Sequence, residues 1–161
     1  MGSGDSLLAD RTRADDFVEF VEANERRLRH ALTAAVGYEA GKDAAAEALA
    51  YAWEHWDKVR VMENPVGYLY TVGRSKARRM LSYRNPVFPS IPEDRTPWFE
   101  PGLPGALAAL PEKERLVVLL LHGYGWHMTE VARTLGVAKS TVQTHGERGM
   151  RKLRRKLGVE Q

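Results

Sequence analysis

The sequence predicts an all-α protein of two small helical domains joined by a proline-rich linker, and three observations carry that expectation. Apolar residues recur at helical spacing in several segments on either side of the middle of the chain. Six of the eight prolines fall within residues 84–105, where no regular helix or central strand survives them. The stretch from Met128 to Leu157, MTEVARTLGVAKSTVQTHGERGMRKLRRKL, reads as a short helix, a tight turn and a longer, strongly basic helix.

Composition narrows the function classes. The chain has no cysteine, which excludes disulfides, Cys-ligated zinc and a thiol switch. Nothing approaches a membrane span. The first residues, MGSGDSLLADRTRADD, carry charges where a secretory signal should be apolar, so residues 1–14 are expected to be a flexible, cytoplasmic start. Charge is segregated: residues 1–83 hold 12 Lys and Arg against 13 Asp and Glu, residues 84–105 hold 2 against 3, and residues 106–161 hold 10 against 5. The positive excess belongs to the last third and points to an anionic partner there.

Taken in order, residues 15–83 form the first expected domain. Asp15 to Val36 places Phe17, Phe20, Val21, Leu28, Ala31, Leu32 and Ala35 on one helical stripe, with Gly37 and Gly41 bracketing a break. Asp43 then caps a second helix to about Asp57, with Trp53 and Trp56 one turn apart. Either tryptophan packs in the core by default, or anchors a partner. Pro65 suits a first helical turn, and a third helix follows from Val66 to about Tyr83, with Leu69, Val72, Gly73, Ala77, Met80 and Leu81 toward the core. Arg74, Lys76, Arg78, Arg79 and Arg84 follow with no acid in residues 64–92, and Tyr68, Tyr70 and Tyr83 lie among them. Basic and aromatic residues interleaved in this way suit a single-stranded or distorted nucleic acid; a solvated helix face over core tyrosines is the other reading.

Residues 84–105 are the expected linker, extended and semi-rigid, with a reach of at most roughly 70 Å at about 3.1 Å per residue. Its Val87, Phe88, Ile91, Trp98 and Phe99 are apolar enough to dock on something. The second domain, residues 106–161, opens with Ala106–Leu110 and a helix from Pro111 to about His122 that offers Leu116, Val117, Leu119, Leu120 and Leu121. In the helix-turn-helix, Val131, Leu135, Val137 and Val142 are the expected core, Ala132 lets two backbones approach, and Gly136 supplies a left-handed turn residue. Ser140 followed by Gln143 fits a capping box at the start of the last helix. That helix carries Arg148, Arg151, Lys152, Arg154, Arg155 and Lys156 against Glu147, which suits entry into a major groove with a grip on phosphates.

Both halves, in this order, resemble the bacterial sigma-70 family of transcription initiation factors, and within it the small extracytoplasmic-function (ECF) group. LPEKERLVVLLLHGYGWHMTEVARTLGVAKSTVQTHGERGMRKLRRKLG is similar to region 4, a helix-turn-helix that reads the −35 element. DFVEFVEANERRLRHAL, DAAAEALAYAWEHW and NPVGYLYTVGRSKARRML are similar to region 2, a three-helix bundle. The resemblance implies a first domain that docks on the β′ clamp helices of RNA polymerase core and opens the −10 element. It also implies promoter DNA as a partner, and an anti-sigma factor as a candidate one.

Carried over residue by residue, Asp43, Glu47 and Trp53 match the polymerase-docking helix. Tyr68, Leu69 and Arg74 match the start of the −10 reading helix, and Lys76, Arg78 and Arg79 extend its charge. Lys139, Ser140, Thr141, Gln143, Thr144, Glu147 and Arg148 match the groove-facing positions. Arg148 can fork onto a guanine, and Gln143 or Thr144 can meet a base edge. Arg151, Arg154, Arg155 and Lys156 are placed for phosphates or solvent. The chain departs from the family pattern at Ala46, Ser75, Arg79, His127 and Gly146, the last costing about 1 kcal/mol of helix stability relative to Ala.

No catalytic constellation, cofactor motif or metal-ligand clustering accompanies these features. His30, His55, His122, His127 and His145 are scattered, so no enzyme, metal or cofactor is expected. The leading expectation is a promoter-recognition subunit. A stand-alone helix-turn-helix regulator, with its first half as a protein-interaction module, is the alternative.

Overall fold

The structure, a computed structural model, describes residues 2–81 and 101–159, and every regular element among them is helical. The expected linker residues 84–100, Tyr83 and the side chains of Met80 and Leu81 lie outside the described residues. No helix among the described residues is long and apolar enough to cross a membrane.

Helix α1 is Ser3–Val36, 34 residues long. It therefore begins inside the segment expected to be a flexible start. Residues 5–14 contain no Pro or Gly, and good helix formers such as Leu7, Leu8, Ala9 and Arg11 extend the helix without needing a buried stripe. Arg13 fixes this extension: its guanidinium lies 4.3 Å over the Trp53 ring and donates to the Trp53 carbonyl at 2.8 Å. Gly37, at φ 93°, turns the chain directly into helix α2, Tyr38–Glu54. Gly41 is thus no break. A Cβ there would overlap the Thr33 backbone, so glycine is what lets α1 and α2 touch. Ala44, Ala45, Ala48 and Ala52 continue the close-packed face.

The second helix stops at Glu54, earlier than its apolar pattern suggests, because His55 leaves helical geometry; a short helix α3, Trp56–Val59, follows. The two tryptophans part company here. Trp56 is buried beside Phe17 and Phe20, while Trp53 is 40% exposed. Helix α4 is Pro65–Leu81, with Pro65 in the first turn as expected. The Asn64 side-chain oxygen accepts the Gly67 N–H at 3.2 Å, capping it. Leu69, Tyr70 and Ala77 face the core, and Gly73 brings α4 against Leu32 and the Ala44 carbonyl.

Helix α5, Leu103–Ala108, starts inside the expected linker, with Pro104 tolerated in its first turn. Helix α6, Glu112–Val118, passes into a π-helical turn, Leu119–Gly123, rather than running on as a regular helix. Helix α7 is Met128–Leu135 and helix α8 is Lys139–Leu157. Gly136 between them is left-handed at φ 68°, and the Val137 N–H reaches back to the Ala132 carbonyl at 3.0 Å. Val131 and Val142 are fully buried as expected, Leu135 is half-buried, and Val137 lies exposed on the turn.

The two halves are not independent bodies. Leu28, Leu32 and Leu69 of the first belong to one continuous apolar core with Leu116, Leu120, Val131 and Val142 of the second. Helices α1 and α4 of the first half meet α6, the π-helical turn and α7 of the second. A smaller cluster, Ala106, Leu107, Leu110, Val118 and Leu153, fastens α5 and α6 to α8.

Candidate nucleic-acid and polymerase interfaces

Helix α8 presents the largest continuous set of predicted readers. Lys139, Ser140, Gln143, Thr144, Glu147, Arg148, Arg151 and Arg155 are exposed, and Thr141 is half-buried. Val142, Gly146, Gly149 and Leu153 form the opposite, buried stripe, which sets the exposed face outward. The expected capping box at Ser140 and Gln143 is absent. Ala138 is the N-cap and Ser140 lies already inside the helix, so its hydroxyl cannot take the capping position. Gln143 instead donates to Glu147 at 3.1 Å, and Thr144 donates to the Ser140 carbonyl at 2.9 Å. The reciprocal contact of a capping box occurs one helix earlier, where the His127 N–H donates to the Glu130 carboxylate at 3.2 Å.

Charge on α8 divides further along. Lys152 is tied to a neighbouring helix: it donates to buried Glu114 of α6 at 3.0 Å. Arg148, Arg151 and Arg155 line a cleft of about 350 Å³ over that pair. Arg154 and Lys156 remain exposed.

The basic run on α4 does not form one surface. At 3.6 residues per turn, Lys76 lies on the far side of the helix from Arg74 and Arg78. Lys76 turns toward α2, 3.7 Å from the Glu47 carboxylate and 5.8 Å from the Tyr51 ring centre. Tyr68 shares that side, its hydroxyl 2.9 Å from the Tyr51 hydroxyl, with the Lys58 ammonium 5.8 Å from its ring centre. Arg79 is exposed. Tyr70 is a core residue, and its burial pushes the phenol up to about 12.

Arg74 and Arg78 face the second half. Arg74 donates twice to one oxygen of Glu112, at 2.8 and 2.6 Å, and Arg78 donates to the other at 3.1 Å. Partial burial alone would raise the Glu112 carboxyl, but the hydrogen bonds and charges of the two arginines hold it below its ordinary value. Other ties cross the same boundary. The Asn64 amide donates to the Arg133 carbonyl at 2.6 Å, while the Arg133 guanidinium donates to the Glu63 carbonyl at 2.9 Å. Arg27 pairs with Glu130 at 3.1 Å, and His30 stacks on Tyr124 with ring centres 4.1 Å apart. Nothing local in the sequence marks Glu112, Asn64 or Arg133, because their partners stand 38, 69 and 70 residues away.

On α2, Asp43 and Glu47 are exposed one turn apart. Trp53 follows on the same helix, its ring flanked by Arg13 and by Phe17 at 5.1 Å. Asp43 and Glu47 therefore share an accessible acidic face, while Trp53, about 120° round the helix from Glu47 at 3.6 residues per turn, lies on the flank toward α1. Among the described residues, no group of three or more His, Cys, Asp or Glu could hold a metal ion.

Known proteins resemble this chain in sequence and in fold. Residues 103–153 match the family described as sigma-70, region 4. The ECF RNA polymerase sigma factor SigL of Mycobacterium tuberculosis strain H37Rv is 30% identical over 135 residues, covering 73% of this chain and 76% of the relative. Among solved structures, the sigma factor RpoE of Bartonella quintana, bound to the anti-sigma factor NepR, superposes with a TM-score of 0.64 at 19% identity, covering 91% of this chain and 99% of that one. CnrH, bound to the cytosolic domain of CnrY, gives a TM-score of 0.61 at 20% identity, covering 96% of this chain and 97% of that one. The helix-turn-helix with its outward basic helix, preceded by a helical bundle of this order, is thus matched in sequence as well as in shape: the chain belongs to the ECF group of the sigma-70 family, the sigma factors that direct transcription to specific promoters.

Proposed function

We propose that this sigma factor divides promoter recognition between its halves. Residues 15–83 engage polymerase core through Asp43, Glu47 and Trp53, and the −10 element through Tyr68, Arg74, Lys76, Arg78 and Arg79. Residues 106–161 read the −35 duplex through α8, with Lys139, Ser140, Thr141, Gln143, Thr144, Glu147 and Arg148 toward base edges and Arg151 and Arg155 toward phosphate. Residues 84–105 connect the two. The protein works in the bacterial cytoplasm by binding, with no catalytic step of its own. Its solved relatives carry anti-sigma factors, which supports a similar restraint here.

The observation that carries this reading is the outward face of α8. Polar side chains able to meet base edges stand in the first turns, arginines follow, and the turn before them is closed by a left-handed glycine. Linking two modest readers raises the effective concentration of the second once the first is engaged. Run-off transcription with purified bacterial core polymerase and a promoter library tests it. Transcripts dependent on this chain are expected; none from any promoter overturns the reading.

A further inference from the structure

Arg74 and Arg78 are proposed above for promoter DNA, yet both guanidinium groups already bind one carboxylate. Glu112 accepts three N–H bonds from them, at 2.6, 2.8 and 3.1 Å, and is itself half-buried between the halves. A carboxylate whose two oxygens are each held by an arginine presents the same single charge and paired acceptors as the non-bridging oxygens of a phosphate. Glu112 comes from the far side of the linker, at the first turn of α6, so the contact exists only while the halves are together.

The neighbouring ties act in the same direction. Beside the N-terminus of α4, Asn64 donates to the Arg133 carbonyl and Arg133 donates to the Glu63 carbonyl, so the second half grips this helix at its start as well as along its side. The reading face of α8, by contrast, is open to solvent in this same arrangement. Closure covers one proposed reader and leaves the other free.

We infer that Glu112 occupies the place of a DNA phosphate on Arg74 and Arg78, so that the closed arrangement of the two halves competes directly with strand binding by α4. The inference rests on the proposed role of these arginines at the −10 element and adds an internal competitor to it. A strand reaching α4 must displace Glu112, and the apparent affinity falls by the fraction of molecules that are open. Conversely, whatever separates the halves uncovers the reader.

The chain has no cysteine, so Glu39→Cys with Val159→Cys, one exposed site on each half, accepts a donor–acceptor dye pair without background labelling. Energy transfer in the absence of DNA and polymerase reports closure. E112Q should lower the transfer, and R133A, which removes a tie at a different point, should lower it as well. In parallel, anisotropy of a fluorescein-labelled 20-nucleotide single strand at low salt should show E112Q binding about three- to tenfold tighter than the parent, the range expected for losing weak, partly exposed ion pairs. E22Q, the same charge change at an exposed site on α1, should leave binding unchanged. The gain should vanish when E112Q is placed on an R74A/R78A background. Unchanged transfer in E112Q, equal binding by E112Q and E22Q, or a gain that survives on that background would each overturn the inference. The transfer signal needs no promoter and no polymerase, so its failure is distinct from failure of run-off transcription.

Discussion

Two glycines on the buried stripe of α8 should respond in opposite ways to the same substitution. Replacing a helix-interior glycine by alanine gains about 1 kcal/mol of helix propensity, and a newly buried methyl adds up to about 0.8 kcal/mol where it fits. At Gly146 it fits. A Cβ would lie 3.5 Å from both Leu121 Cδ1 and Val117 Cγ1, which is ordinary contact. Gly146→Ala should therefore stabilise by about 1–1.5 kcal/mol, or roughly 2–6 °C in Tm for a chain of this size. At Gly149 a Cβ would stand 2.6 Å from Val118 Cγ2 and 3.2 Å from the Glu114 carbonyl. Val118 is β-branched and the carbonyl is backbone, so neither moves cheaply. Overpacking of this kind costs about 1–3 kcal/mol, which cancels the propensity gain or exceeds it. Urea melts of the two variants, compared by midpoint at constant slope, should separate them by about 2 kcal/mol. DNA binding by Gly146→Ala should stay at the parent level, since the site faces away from the readers. Equal shifts, or destabilisation by Gly146→Ala, would refute the assignment of Gly149 as the close-contact position.

On the reading helix, Arg148→Ala should cost about 1–3 kcal/mol at one base position and relax choice there, whereas Arg155→Ala should weaken all sequences alike and flatten the salt dependence. Binding of a systematically varied promoter set by both variants checks this. Trp53→Ala should weaken association with core polymerase by about 2 kcal/mol, as expected for an aromatic anchor, without changing the thermal midpoint of α8 contacts; a pull-down titration with core enzyme reads it. Acid should loosen the boundary between the halves. Burial, then the charges of Arg29 and Arg26, lower the His30 imidazole below 6.5, with Glu25 partly opposing. The folded state thus prefers the neutral ring, and stability is full above 6.5 and declines as pH falls below it. His30→Phe keeps a ring against Tyr124 and should remove that part of the decline in Tm.

Local signals were legible and distant ones were not. Gly136, Pro65 and Val142 announce themselves because a left-handed turn, a first helical turn and a buried helix position each restrict residue type within a few neighbours. The apolar stripe of α1 marks only the part that packs, so the polar turns from Ser3 to Ala14 read as loose chain although they are helical. The capping pattern at Ser140 and Gln143 satisfied the sequence rule two residues too late, while the contact at His127 and Glu130 escaped it because histidine is not among the usual caps. Gly146 and Gly149 lie on the same stripe, and periodicity cannot tell which of them touches backbone. The basic run of α4 read as one patch because composition ignores angle; the helix splits Lys76 from Arg74 and Arg78. Their partner Glu112 depends on how two distant halves meet, which no local pattern encodes.

The core shared by the two halves also gives their separation a temperature dependence. Leu28, Leu32 and Leu69 are covered in part by a core that continues into Leu116, Leu120 and Val131, so parting the halves wets hydrocarbon as well as breaking ion pairs. Wetting hydrocarbon raises the heat capacity, and the penalty for it shrinks on cooling. Opening is therefore a small-scale counterpart of cold denaturation, favoured as the temperature falls while each helix stays folded.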